Sequence, residues 1–157
     1  MNKLHCLFLI GILLTASSCN NDESCCTNVD TEISIKYLNQ NGQNLFELTD
    51  GYSLSDITIY HRVNDEWVYY SEANLTYPKG IRTVDREDGT YLSIFPSTTI
   101  VMDSYSETKI EFSADDIDLI RTEIDNSNSN TIVTKVWYNQ ELKWEAYETE
   151  REFVVIK

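Results

Sequence analysis

Apolar and polar residues alternate with a period of two through nearly the whole body of this chain, and that pattern commits it to strands. Ile33, Ile35 and Tyr37 fall on one face, after which NQNGQN supplies a turn. Ile57, Ile59, His61 and Val63 alternate in the same way up to Asn64-Asp65, and residues 66–70 return as a hairpin partner. Tyr77-Pro78-Lys79-Gly80 interrupts the chain before a strand at 81–86. Asp88-Gly89 then marks a tight hairpin into 91–95, which Pro96 ends. Residues 98–102 and 108–112 read as a further pair around Ser104-Tyr105-Ser106. Residues 131–138 alternate again, Asn139-Gln140-Glu141 turns into 142–144, and 153–156 forms a short final strand.

Residues 113–125 carry two patterns. Ser113 and Asp116 resemble a capping box, with Ile117, Ile120 and Ile124 at helical spacing. As a strand, Ile120, Thr122 and Ile124 share one face. The strand is favoured because NSNSN folds the segment directly back onto 131–138, which needs a neighbour. The expectation is therefore an all-β chain of about nine or ten strands, with no segment long enough for a βαβ crossover. A single antiparallel β-sandwich, immunoglobulin-like or related, is the economical arrangement. The Cys…Trp…Cys hallmark of immunoglobulin domains is absent, which leaves strand order open.

The amino terminus has a different character. In MNKLHCLFLIGILLTASSC, one cation at Lys3 precedes an apolar run from Leu4 to Leu14 and small residues ahead of Cys19. These are the three zones of a secretory signal. Eleven helical residues rise about 16 Å, far less than the ~30 Å hydrocarbon core, which disfavours a permanent span. The ASSC sequence resembles the lipobox of bacterial lipoproteins, with Ala16 where that family usually carries an aliphatic residue. The resemblance implies cleavage by signal peptidase II between Ser18 and Cys19 and acylation of Cys19. The alternative is ordinary cleavage near Ser18, releasing a soluble secreted chain.

The organisation expected is a lipoprotein signal peptide over residues 1–18, the lipidated cysteine and a flexible polar tether over 19–30, and the sandwich over 31–157. Acidic and Asn-rich residues after Cys19, together with the VWYNQELKW hairpin and the closing FVVIK, resemble small uncharacterised β-sandwich lipoproteins of Bacteroidota. That resemblance implies a place in the cell envelope, anchored in the outer membrane by lipid. It transfers no catalytic residue.

Charge narrows the partners. The chain carries 12 basic and 26 acidic residues, a formal −14. Loss of residues 1–18, whose single charge is Lys3, makes the 139-residue remainder −15. Such a field opposes binding to nucleic acid. Of four cysteines, Cys6 leaves with the signal and Cys19 takes lipid, so Cys25 and Cys26 remain. Adjacent Cα atoms lie about 3.8 Å apart, below the usual disulfide range. The pair reads as free thiols or a strained vicinal ring, as a link to another chain, or as two soft-metal ligands that lack their partners.

Catalytic chemistry finds little support. His61 is the only histidine after residue 18, and its parity with Ile57 and Ile59 reads as a core or edge position. The acidic clusters Asp85-Arg-Glu-Asp88 and Asp115-Asp-Ile-Asp118 lack the EF-hand spacing and read as solvated turns. Nothing selects a carboxylate pair for glycoside hydrolysis, and no cofactor or metal motif is present. What stands out is an aromatic content of 11%, with three Trp and ten Tyr. Parity points Tyr60 and Trp137 outward, where rings can stack on a glycan or anchor a protein. Packing inside the sandwich is the competing role for Trp67, Trp137 and Trp144. The expectation is a non-catalytic binding or adhesion module, with a structural subunit of an envelope assembly as the alternative and a small hydrolase behind both.

Overall fold

The computed structural model describes residues 27–147 and 149–157. The leader over 1–18 and the residues Ser18, Cys19, Cys25 and Cys26 lie outside the described residues. Within them the chain is all-β, with eleven strands in two sheets and a single 3-10 turn at Ser127–Ser129. In chain order the strands are β1 (Val29–Asp30), β2 (Ile33–Leu38), β3 (Thr58–Val63), β4 (Glu66–Tyr69), β5 (Ile81–Arg86), β6 (Gly89–Ile94), β7 (Tyr105–Ser113), β8 (Asp116–Asp125), β9 (Thr131–Tyr138), β10 (Glu141–Glu145) and β11 (Glu152–Ile156). The larger sheet has the order β1-β9-β8-β7-β3-β4, with β10 also on β9, and the smaller has β11-β2-β6-β5.

The sandwich follows the alternation. Ile33, Ile35, Leu92 and Ile94 line the inner face of the small sheet, and Ile59, Ile110, Ile120, Val133 and Val136 that of the large one. Each is essentially shut off from water. Burying one such side chain contributes roughly 1.5–3 kcal/mol, so two interdigitated faces supply a core without disulfides or metal. One end of that core is aromatic: Tyr37, fully buried, meets Tyr52, Phe46 and Phe112 edge-on.

Turn chemistry explains the hairpins. Asn64 and Asp65 between β3 and β4, and Asn139 and Gln140 between β9 and β10, all take positive φ. Two consecutive left-handed residues match the twist of the strands they join. The ambiguous segment resolves as β8, with Ile120, Thr122 and Ile124 inward and Ile117 and Leu119 outward at 45% and 42% exposure. A helix would have forced these outward residues and the inward set onto overlapping faces, whereas a strand separates them.

Four expectations change. The sheets are not purely antiparallel, because β1 runs parallel to β9 and β11 parallel to β2. Alternation specifies a strand's faces but not its direction, and both parallel pairs join segments remote in sequence. The strand count rises to eleven, and pairing begins at Val29, two residues before the expected start of the sandwich at Thr31. Residues 98–102 are not a strand. They cross from β6 in the small sheet to β7 in the large one, with only a bridge between Met102 and Tyr105. Side chains satisfy this crossing: Ser97 N–H donates to Thr108 Oγ1 at 2.7 Å, and Ser106 Oγ donates to the Ser97 carbonyl at 2.5 Å.

Candidate aromatic binding face

The outer face of the large sheet is built by register. Across the two-residue turn, Trp67 on β4 pairs with Arg62 on β3. Glu107 on β7 pairs with Arg121 on β8, Arg121 with Trp137 on β9, and Trp137 with Leu142 on β10. A second row runs Tyr69, Tyr60, Lys109, Leu119. Tyr60 and Trp137 therefore share one face, as parity suggested. Both are half-buried by cations and rings rather than by the core.

Cations sit over the rings. Lys109 Nζ stands 3.8 Å from the centroid of Tyr60, the Arg62 guanidinium 5.7 Å from Trp67, and the Arg121 guanidinium 3.9 Å from Tyr105 and 5.9 Å from Trp137. Tyr105 and Trp137 meet edge to face at 5.6 Å. Each cation–ring contact at a partly exposed site contributes about 0.5–1 kcal/mol, which biases a ring toward one orientation by about two- to fivefold. Acids interleave: Glu107 accepts from Arg62 at 2.8 Å, and Glu123 lies 3.4 Å from Lys135, which also meets Glu145. Hydrogen bonds to Glu145 and Glu123 hold the Lys135 amine above its ordinary pKa.

Between the two tryptophans the face is concave. A depression of about 300 Å³ is lined by Trp67, Glu107, Leu119, Arg121, Trp137 and Gln140. It combines two indoles with donors and acceptors, the composition of a small-molecule subsite. Tyr105 and Arg121 were not singled out from the sequence, which weighed Trp67 only for packing inside the sandwich; Trp67 instead lines this outer depression. The signal for Trp67 was present, since a two-residue loop at Asn64-Asp65 fixes Arg62 opposite it. The pairing of β8 between β7 and β9, which brings Arg121 and Tyr105 to the same place, had no such local marker.

The other candidates resolve differently. Trp144 is buried, its indole donating to the Thr149 carbonyl at 2.9 Å, so for this tryptophan the packing role holds. His61 faces inward at the edge of the core, stacked on Tyr70 at 4.1 Å, with Nε2 buried and without a hydrogen-bond partner. Burial pushes its pKa down to about 4. Among the described residues Nε2 meets no hydroxyl, thiol or carboxylate at hydrogen-bond distance, so no nucleophile–base pair forms on it.

The acidic clusters are closed by their own neighbours. Asp118, 2% exposed, accepts from Tyr138 Oη and from Asn139 Nδ2 at 2.8 Å, and Lys157 Nζ lies 2.5 Å away. Asp116 is held by Lys157 at 2.6 Å and Tyr52 Oη at 2.5 Å. Burial alone would raise the Asp116 carboxyl, but these bonds and the lysine charge bring it below its ordinary value. Asp88 accepts from Lys36 at 3.0 Å and from Tyr91 Oη at 2.8 Å, which also lowers its pKa. Among the described residues no group of three or more His, Cys, Asp or Glu could hold a metal ion.

A larger groove, about 500 Å³, lies over the outside of the small sheet near Arg82, Arg86 and Arg151. Its guanidiniums are occupied. Arg82 pairs with Glu32 at 2.7 Å, Arg86 with Glu152, and Arg151 with Asp30 at 2.9 Å while stacking on Trp144 at 4.6 Å. These contacts clasp β1, β5 and β11 to the body. Comparison with protein-family models, curated proteins and solved structures returns no match.

Proposed function

We propose that this protein is a lipid-anchored, non-catalytic binding or adhesion module of the bacterial cell envelope. It meets a glycan or a protein through the outer face of its large sheet. The observation that carries the reading is the co-location of Tyr60, Trp67, Tyr69, Tyr105 and Trp137 on one face, with a depression between the two tryptophans. Rings held by neighbouring cations are pre-organised, so little conformational entropy is lost when a ligand stacks on them. The acyl group on Cys19 moors the chain in the outer membrane, and a polar tether lifts the sandwich away from the lipid. With two or more chains on that cysteine, at about 0.8 kcal/mol per buried methylene, anchoring is stable.

A second reading, a subunit of an envelope assembly, draws support from β11. It is the edge of the small sheet, and Val154 and Ile156 stand 47% and 64% exposed on its outward side. An edge of this kind can accept a partner strand.

Two measurements test the first reading. Cys19→Ala should abolish acyl labelling and leave uncut precursor; unchanged processing to a soluble form would refute the anchor. The Tyr60→Ala/Trp137→Ala double variant should lose attachment to envelope glycan or protein while a Val154→Ser/Ile156→Ser variant keeps it. The opposite pattern would transfer the function to the β11 edge.

A further inference from the structure

We infer that Arg121 is the anion anchor of a saccharide subsite between Trp67 and Trp137, so that the ligand of this face is a sugar carrying a single carboxylate. The inference rests on the binding reading above and names its ligand class. Every other cationic side chain among the described residues has an oxygen partner: Lys36 on Asp88, Arg62 on Glu107, Arg82 on Glu32, Arg86 on Glu152, Lys109 on Glu111, Lys135 on Glu123, Lys143 on Glu141, Arg151 on Asp30 and Lys157 on Asp116. Lys79 Nζ donates to the carbonyls of Leu54, Ser55 and Ile57 at 2.8–2.9 Å. Arg121 makes no ion pair and no hydrogen bond among the described residues, in a chain with 26 acids. Its register partner Glu107 bonds Arg62 instead.

The guanidinium is nonetheless fixed. Tyr105 stacks on it at 3.9 Å, Trp137 flanks it at 5.9 Å, and Nε is buried without a partner. A planar fork held on an aromatic face, with no carboxylate bonded to it, is arranged for bidentate recognition of a planar anion. The surrounding depression, about 300 Å³, is at the small end of ligand cavities and suits one or two sugar rings. Its indoles can take the C–H face of a sugar ring. Gln140, itself in the left-handed region at φ 74° and lining the depression, and Glu107 supply a donor and acceptors for hydroxyls.

Overall charge selects the number of anionic groups. A polyanion such as nucleic acid or a heavily sulfated polymer would meet the repulsion of a −14 chain along its whole length. A single carboxylate meets Arg121 locally, at a distance where the pair outweighs the screened background. An acidic peptide could reach the guanidinium too, but its flexible side chain would leave the indole walls unfilled.

The test uses the full chain extracted in mild detergent, titrated calorimetrically with a glucuronic-acid disaccharide, a sialyl-lactose, their uncharged counterparts, a disulfated disaccharide and an acidic peptide. The acidic sugars should bind at least tenfold more tightly than their neutral forms. Arg121→Gln should weaken the acidic sugars at least tenfold more than the neutral ones and so erase that preference, Arg121→Lys should restore part of it, and Trp137→Ala should weaken acidic and neutral sugars by the same factor. Unchanged melting of R121Q excludes misfolding as the cause. Equal binding of acidic and neutral sugars, or an R121Q variant that keeps the preference, overturns the anchor and leaves the binding face standing. Tighter binding of the disulfated sugar or of the peptide overturns the ligand class. If no sugar binds, the inference fails, and retained loss of envelope attachment in the Tyr60/Trp137 variant would show that the face itself still binds.

Discussion

Lowering pH should destabilise this fold through His61 before its carboxylates titrate. The imidazole sits on the inner side of β3, with Thr108 and Val68 as its register partners and Tyr70 stacked against it. Among the described residues no charged group shifts it, and burial alone holds its pKa at about 4, against 6.5 in an unfolded chain. Below pH 6.5 the unfolded state takes up a proton that the folded state refuses. Stability present above that pH is therefore lost as pH falls toward 4, and the loss levels off below it. Each tenfold difference in proton affinity corresponds to about 1.4 kcal/mol, so the ceiling is about 3 kcal/mol. The ring is half-buried rather than sealed, and solvent at its edge reduces this to about 2 kcal/mol. Urea unfolding of the wild type and of His61→Phe at pH 7.0 and 4.5 measures it. The wild type should lose about 2 kcal/mol more than the variant, a midpoint difference of ~1 M. Parallel losses in both proteins would refute the argument, because the carboxylates common to both would then account for all of the acid sensitivity.

Other expectations follow from particular contacts. Ile35→Ala, at a site with no solvent contact, should cost 2–5 kcal/mol in chemical denaturation. Asp65→Gly should stabilise by ~0.5–1 kcal/mol, since residue 65 has φ 65° in a two-residue hairpin; a lowered melting temperature would show that its 3.5 Å contact with Arg62 outweighs backbone relief. Lys157→Met should destabilise by roughly 3–5 kcal/mol, leaving the Asp118 carboxylate buried beside Asp116 without its cation, while Lys157→Met with Asp118→Asn recovers part of the loss. A Lys157→Met protein as stable as wild type would mean that Tyr138 and Asn139 suffice.

Much of this architecture can be read in advance, for identifiable reasons. The hairpins at Asn64-Asp65, Asp88-Gly89 and Asn139-Gln140 carry local turn chemistry, and two-residue periodicity sorted Ile59 from Tyr60 and Val136 from Trp137. The β8 segment was legible once its neighbour's need for a partner was weighed against helical spacing. Strand direction was not, because β11 reaches β2 only after the chain has crossed between the sheets, and nothing near FVVIK records that it runs parallel. Residues 98–102 mimic a strand because Thr and Val suit extended backbone, yet they enter no ladder: Ser97 just before them is held by Thr108 and Ser106, and Val101 and Met102 bond only to Tyr105 across a tight turn. The candidate site divides in the same way. Tyr60 and Trp137 were visible by parity, whereas the free state of Arg121 depends on Glu107 choosing Arg62, a choice made only in three dimensions.

Hydroxyl-radical footprinting offers the most direct check on the binding face. Oxidation of Tyr60, Trp67 and Trp137 should be slower on intact cells than in the detergent-extracted chain, while exposed Tyr77 and Tyr147 react equally in both. Equal reactivity of all five rings, or protection confined to Tyr77 and Tyr147, would contradict it.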